Sequence, residues 1–138
     1  MPTITTPRPP LNIFDAARAE VTSDTWITLY ETPDYLIPAS GPNPQRNVKA
    51  VALLTSLIVA NNTNDTIQFS MRIFDELNDI WQLLNELSIP TNDFALIELG
   101  KQNLPSGERL QIRVNSGQAA VASLSYVLNQ REEYEEIT

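Results

Sequence analysis

The side chains in this chain that could do chemistry are almost all carboxylates and aromatics. Asp75, Glu76, Asn78 and Asp79 crowd one short stretch and offer the hard oxygen donors that calcium prefers. Their spacing does not follow the twelve-residue calcium loop, and the stretch lacks the glycine that makes its sharp turn, so the segment reads as a solvated turn. Paired carboxylates would suit glycoside hydrolysis, in which two acids flank the scissile bond. Glu86 and Glu98 are the strand acids available for such a pair, and they are scattered at solvent-facing positions. The chain has no histidine and no cysteine. That removes imidazole relays, thiolate nucleophiles, disulfides and the soft-ligand metal sites. No catalytic residue, cofactor or metal ligand is therefore assigned, and the chain is read as a non-enzyme.

The aromatics have a binding interpretation. Trp26, Tyr30 and Tyr35 cluster near the N-terminal third, where exposed rings could stack on sugars or seat in a partner's pocket. Trp26 is equally at home in a core. Trp81, beside Ile80 and Leu83, reads as a core or inter-sheet residue. Glu132, Glu133, Glu135 and Glu136 give the C-terminal segment a run of acids suited to a solvated tail or to a basic neighbouring surface.

A formal net charge of -8, with Lys49 and Lys101 as the lysines, argues against nucleic acid, because phosphate-backbone affinity needs clustered cations. The sequence start, MPTITTPRPP, has neither the basic nor the apolar region of a secretory signal, so synthesis in a cytoplasm is expected. Residues 48–60 are the most apolar run, but they are too short for a membrane helix and read as a buried strand. No membrane partner is expected.

The elements that must position these groups are strands. With 138 residues, a single domain is expected. Pro2, Pro7, Pro9 and Pro10 remove backbone donors and fix extended geometry, so the first residues are expected to form an arm outside any sheet. Residues 14–21, rich in alanine, suit a short helical turn. Residues 25–30 read as the first strand, and the prolines between 33 and 46 mark a loop or edge element. Residues 48–60 and the cleanly alternating 66–74 are expected to pair as a hairpin across the NNTND turn. Residues 80–89 fit either period and are read as a strand closed by Pro90. Strands at 94–99, ended by Gly100, at 109–114 and at 119–128 complete the set, with a turn at LPSGE. Ile67, Phe69, Met71 and Ile73, with Leu110, Ile112 and Val114, are the expected core.

The expected architecture is an antiparallel β-sandwich of immunoglobulin-like or jelly-roll type with an extended proline-rich arm. It divides into an arm at 1–24, a sandwich at 25–128 and an acidic tail at 129–138.

Several stretches have a familiar look. IVANNT at the end of one strand, IPTNDF and LPSGERLQ at turns, and SYVL in the last strand occur in the order seen in small β-sandwich virion proteins of tailed bacteriophages, particularly marine ones. Residues 56–134 carry this resemblance. It implies a structural protein of the virion, in head decoration or cement or in the neck or tail, with capsid, neck or tail subunits as partners and as a homo-oligomer in the particle. A carbohydrate-binding or receptor-binding module displayed on the virion is the alternative. The arm is the best candidate for docking, since a pre-extended segment loses little entropy when it lies along a neighbour. Pro7, Arg8, Pro9, Pro10, Leu11, Phe14 and Tyr35 are the partner-binding candidates.

Overall fold

The computed structural model describes residues 11–33, 35–37, 46–75, 77 and 79–134. Nine strands follow one another: β1 (Leu11–Val21), β2 (Ile27–Glu31), β3 (Tyr35–Ile37), β4 (Arg46–Asn61), β5 (Ile67–Phe74), β6 (Ile80–Ile89), β7 (Asp93–Pro105), β8 (Arg109–Val114) and β9 (Ala120–Tyr134). They form two sheets in which every pairing is antiparallel. Sheet A runs β1-β9-β4, with β3 and β7 following one another along the far edge of β4, and sheet B runs β2-β8-β5-β6.

Apart from β3, the pairings are nested: β5 with β6, β4 with β7, β2 with β8 and β1 with β9. This is one long antiparallel ribbon, folded at the β5–β6 turn and rolled so that alternate segments fall into opposite sheets. Such a rolled ribbon is a jelly roll, and it differs from the immunoglobulin arrangement of strands.

The period-2 alternation sets the inner faces. Ile67, Phe69, Met71 and Ile73 of β5 and Leu110, Ile112 and Val114 of β8 are all buried, as expected, and they face Ala52, Leu54, Leu57, Val59, Ala122 and Leu124 of sheet A in a single core. β6 is a strand, as its proline stop suggested.

Four expectations are corrected. Residues 14–21 are not a helical turn but most of β1, which pairs with β9 from Leu11↔Gln130 to Val21↔Ala120. Ile13, Ala17 and Ala19 pack on the core at alternate positions, and ladder pairing overrides the helical preference of alanine. The sheet thus reaches into the segment assigned to the arm, whereas residues 1–10 lie outside the described residues. Residues 48–60 and 66–74 do not pair with each other. The link between them carries the chain from sheet A to sheet B, because β4, apolar on both faces, takes β9 on one edge and β7 on the other. Gly100 does not end β7; with φ +58 it sits in an irregularity opposite Thr55, and the strand resumes to Pro105. Residues 129–134, assigned to the tail, extend β9, and its register sets Glu133 and Glu132 opposite Asn47 and Val48.

Polar side chains fasten the corners. Asn61 is fully buried at the sheet-changing link; its Nδ2 donates towards the carbonyls of Asp65 (2.8 Å), Ile89 (3.0 Å) and Pro90 (3.1 Å). Its Oδ1 accepts from the Thr63 amide and hydroxyl. At the opposite end the LPSGE turn places Gly107 at φ 84, a conformation glycine adopts without strain. There the Ser106 hydroxyl accepts from the Ala50 amide at 3.1 Å and lies 2.9 Å from the Ala50 carbonyl.

Candidate functional site

In β-sandwiches the inner faces make the core, so function is sought on the outer ones. The register fixes which residues point outward from sheet A. Phe94 and Leu96 of β7, Ile58, Ala60, Leu53 and Val51 of β4, Val121 and Val127 of β9 and Phe14 of β1 share that face with Ser56, Ser123 and Ser125. Phe14 is 81% exposed, Phe94 63% and Leu96 55%. A solvated sheet face normally alternates to polar residues, so an outward face this apolar is unusual. Among the described side chains, the charges on this face are Arg18 and Glu20 on β1 and Glu98 on β7, at its margins.

The outer face of sheet B is built differently. Arg72 and Phe74 of β5 lie beside Arg109, Gln111 and Arg113 of β8, and Trp26 precedes β2. The register turns these into a ladder of alternating guanidinium and ring. The guanidinium carbons of Arg113 and Arg72 lie 4.4 and 4.3 Å from the centre of the Trp26 ring. Arg72 also approaches Phe74 at 6.0 Å, and Arg109 covers Phe74 at 4.9 Å. Each contact is of cation–π type. Gln111 braces the middle, its Oε1 accepting from Arg72 Nε at 2.8 Å. Glu31 approaches Arg109 Nε at 3.5 Å, a long ion pair between half-exposed groups, and no hydrogen-bond partner reaches Nε of Arg109 or Arg113. Burial lowers the Arg72 pKa, and the neighbouring charge of Arg113 lowers it further.

The third candidate is the tip of the β5–β6 hairpin. Asp75 organises it: Oδ1 accepts from the Leu77 amide (2.8 Å) and the Asp79 amide (3.0 Å), and Oδ2 from Trp81 Nε1 (3.0 Å). These bonds hold its carboxyl below the usual range, the Trp81 indole contributing most. Its oxygens are thus directed into the turn, and the described residues hold no cluster of three potential metal ligands. Glu76 and Asn78 lie outside the described residues. Trp81 is not a core residue. It is 58% exposed, because β6 is the edge of sheet B and no described strand pairs beyond it, and Leu77, Ile80 and Leu83 are exposed around it.

Of the residues singled out from the sequence, Phe14 is on the outer face of sheet A. Leu11 and Tyr35 fall in β1 and β3, with side chains outside the description, and Pro7, Arg8, Pro9 and Pro10 lie outside the described residues altogether. Tyr30 is half-buried against Tyr126, ring centres 4.2 Å apart, and its pKa is raised chiefly by burial. Glu86 sits in an irregular part of β6 at φ 51, accepting from Asn115 Nδ2, and Glu98 on β7 belongs to the other sheet. Arg72, Arg109 and Arg113 were missed. Each occupies an outward position of an alternating strand, but only the register of β5 against β8 brings them together.

No protein-family model matches the chain, and no curated protein does. Solved structures with a similar arrangement come from infectious bursal disease virus. The VP2 subviral particle aligns with 90% of this chain at 11% identity and a TM-score of 0.45, and the T=1 particles derived from that virus with 92% at 11% and 0.44. The chain spans about a third of the length of those proteins, 33% and 36% respectively. At these scores the likeness carries no argument about function.

Proposed function

We propose that this chain is a non-enzymatic structural subunit of a virus particle, of the tailed-bacteriophage kind that its motifs resemble. It serves in head decoration or cement, or in the neck or tail, and it is made in the host cytoplasm. Its partners are capsid, neck or tail subunits and further copies of itself. The observation that carries the reading is the apolar outer face of sheet A. A sandwich working alone would gain from a polar outer face, whereas burial against a neighbour returns about 25 cal/mol for each Å² of apolar surface removed from water. Residues 1–10 lead into β1 at the edge of this same sheet, so an arm in that segment would lie along the partner that covers the face.

The double substitution Ile58→Lys and Leu96→Lys tests this, because the two side chains are cross-strand partners on the exposed face and neither contributes to the core. Circular dichroism and melting temperature should stay as in the parent, while self-association or co-sedimentation with particles is lost. Undiminished assembly would overturn the reading. Deleting residues 1–10, which leaves β1 whole, should weaken incorporation without unfolding the sandwich.

The reading as a displayed carbohydrate-binding module has one observation in its favour, the exposed Trp81 at the β5–β6 tip, where a ring can stack on a sugar. A glycan array with the parent and Trp81→Ala separates the two. Binding that disappears with the ring would favour the module.

A further inference from the structure

We infer that the arginine–aromatic ladder on sheet B docks the acidic segment at residues 132–136 of a second copy of this chain. The inference rests on the reading that copies assemble, and it assigns a surface and a partner segment that the sheet A face does not involve.

The first argument is the composition of the ladder. The whole chain has nine Lys and Arg residues against seventeen Asp and Glu, yet three arginines converge on one face of sheet B. Packed like this they repel one another, and Glu31 makes only a long contact of 3.5 Å at the Arg109 end. A guanidinium over a ring can still bind a carboxylate in bidentate fashion through its two terminal Nη groups, while Nε is buried on Arg109 and Arg113 and bonded to Gln111 on Arg72. The rings and Gln111 hold the three forks in place, so a carboxylate that arrives loses little entropy to side-chain ordering.

The second argument is the partner's sequence. Residues 132–136 read Glu-Glu-Tyr-Glu-Glu, four carboxylates around a ring. The charges complement the ladder, and Tyr134 adds an aromatic of the kind arginine stacks on.

The third argument is reach, which selects a second copy over the chain's own segment. β9 is paired with β7's neighbour β4 up to Tyr134, whereas β7 meets β4 only from Val51, the partner of Asn129. The five residues after Asn129 thus carry the segment about 17 Å past the end of β7 at strand spacing. The ladder begins with Arg109 on the other sheet, about 10 Å across and behind that point. The pairing of Glu132, Glu133 and Tyr134 with β4 holds that stretch in sheet A, apart from the ladder of the same chain on sheet B. The ladder that this segment meets is therefore that of a second copy.

The test uses the full chain carrying Trp81→Phe, so that Trp26 is the remaining tryptophan and reports on the ladder directly. The probe is a synthetic peptide of residues 129–138. Expected are saturable quenching of Trp26 fluorescence, loss of binding for the peptide with all four glutamates changed to glutamine, and weakening of about tenfold or more between low and high salt. Arg113→Gln should weaken binding in the same assay. Equal binding of the glutamine peptide, or quenching by heparin or oligothymidylate with none by the peptide, would overturn the inference, the latter making the ladder a polyanion site. The Ile58→Lys, Leu96→Lys protein must bind the peptide normally even though it does not assemble, so failure of the sheet A reading and failure of this one give different results.

Discussion

Asn61 and Asp75 are two of the polar side chains that fasten the turns of this sandwich, and only one of them titrates. Asn61 has no titration. It closes the link between the sheets by offering one amide group to three carbonyls in a fully buried place. Asn61→Ala would leave buried carbonyls unpaired, and the expected cost is about 2 to 4 kcal/mol, read as a lower denaturant midpoint with an unchanged slope. Asn61→Asp should be no better, since it removes the donor and sets a charge against the same oxygens. Asp75, by contrast, works only as a carboxylate. Its bonds from Trp81, Asp79 and Leu77 favour the charged form, so its folded pKa lies below the unfolded one. The contribution to the hairpin is therefore fully present above the ordinary carboxylate range, and it is lost as pH falls through the depressed value. The Trp81 indole N–H resonance should titrate together with the Asp75 carboxyl, with a midpoint below that of a free aspartate. In Asp75→Asn that acid-side transition of the indole should vanish.

At the scale of elements, the strands with clean alternation were legible because one buried face leaves a period of two in the sequence. β5 and β8 show it, and every core residue read from them is buried. Phe69→Ala should cost about 3 to 5 kcal/mol in chemical denaturation. Gln68, which alternation marks merely as outward, should cost about 1 kcal/mol when cut to alanine, because its Oε1 accepts from Gln118 Nε2 at 2.6 Å. A silent Gln68→Ala would show that the Gln118 contact is incidental. What the sequence concealed was pairing between distant partners. β1 looked helical because alanines carry a local preference and the ladder to β9 leaves no local mark. The β4–β5 hairpin was expected because neighbours in sequence usually pair, whereas the apolar character of β4 on both faces already signalled a central strand with two other neighbours. The ladder of Arg72, Arg109 and Arg113 was hidden for the same reason: charges scattered in sequence become a site only through register. Phe14, singled out as a contact residue of an arm, proved exposed but on a strand.

At the scale of the molecule, the sandwich has two outer faces of opposite character, one apolar and nearly uncharged, the other cationic and aromatic. A chain with a net charge of -8 repels its own copies except where its surface is neutral or positive. Both faces meet that condition, so they are the surfaces on which such copies can meet. The nested pairing has a consequence of another sort, which concerns the order in which the molecule comes into being. The loop closed by β5 with β6 is short, that by β4 with β7 longer, and those by β2 with β8 and β1 with β9 longer still. Closure entropy rises with each, so the cheapest nucleus is the innermost hairpin and the outer pairs zip afterwards. A fold so rich in distant contacts belongs to the slow class, with refolding in milliseconds to seconds. In stopped-flow experiments Asp75→Asn, at the hairpin tip, should chiefly retard refolding, whereas Leu124→Ala in β9 should chiefly accelerate unfolding. The reverse pattern would mean that the roll closes from its outer turn inward, with the first and last strands meeting before the middle of the chain has found its place.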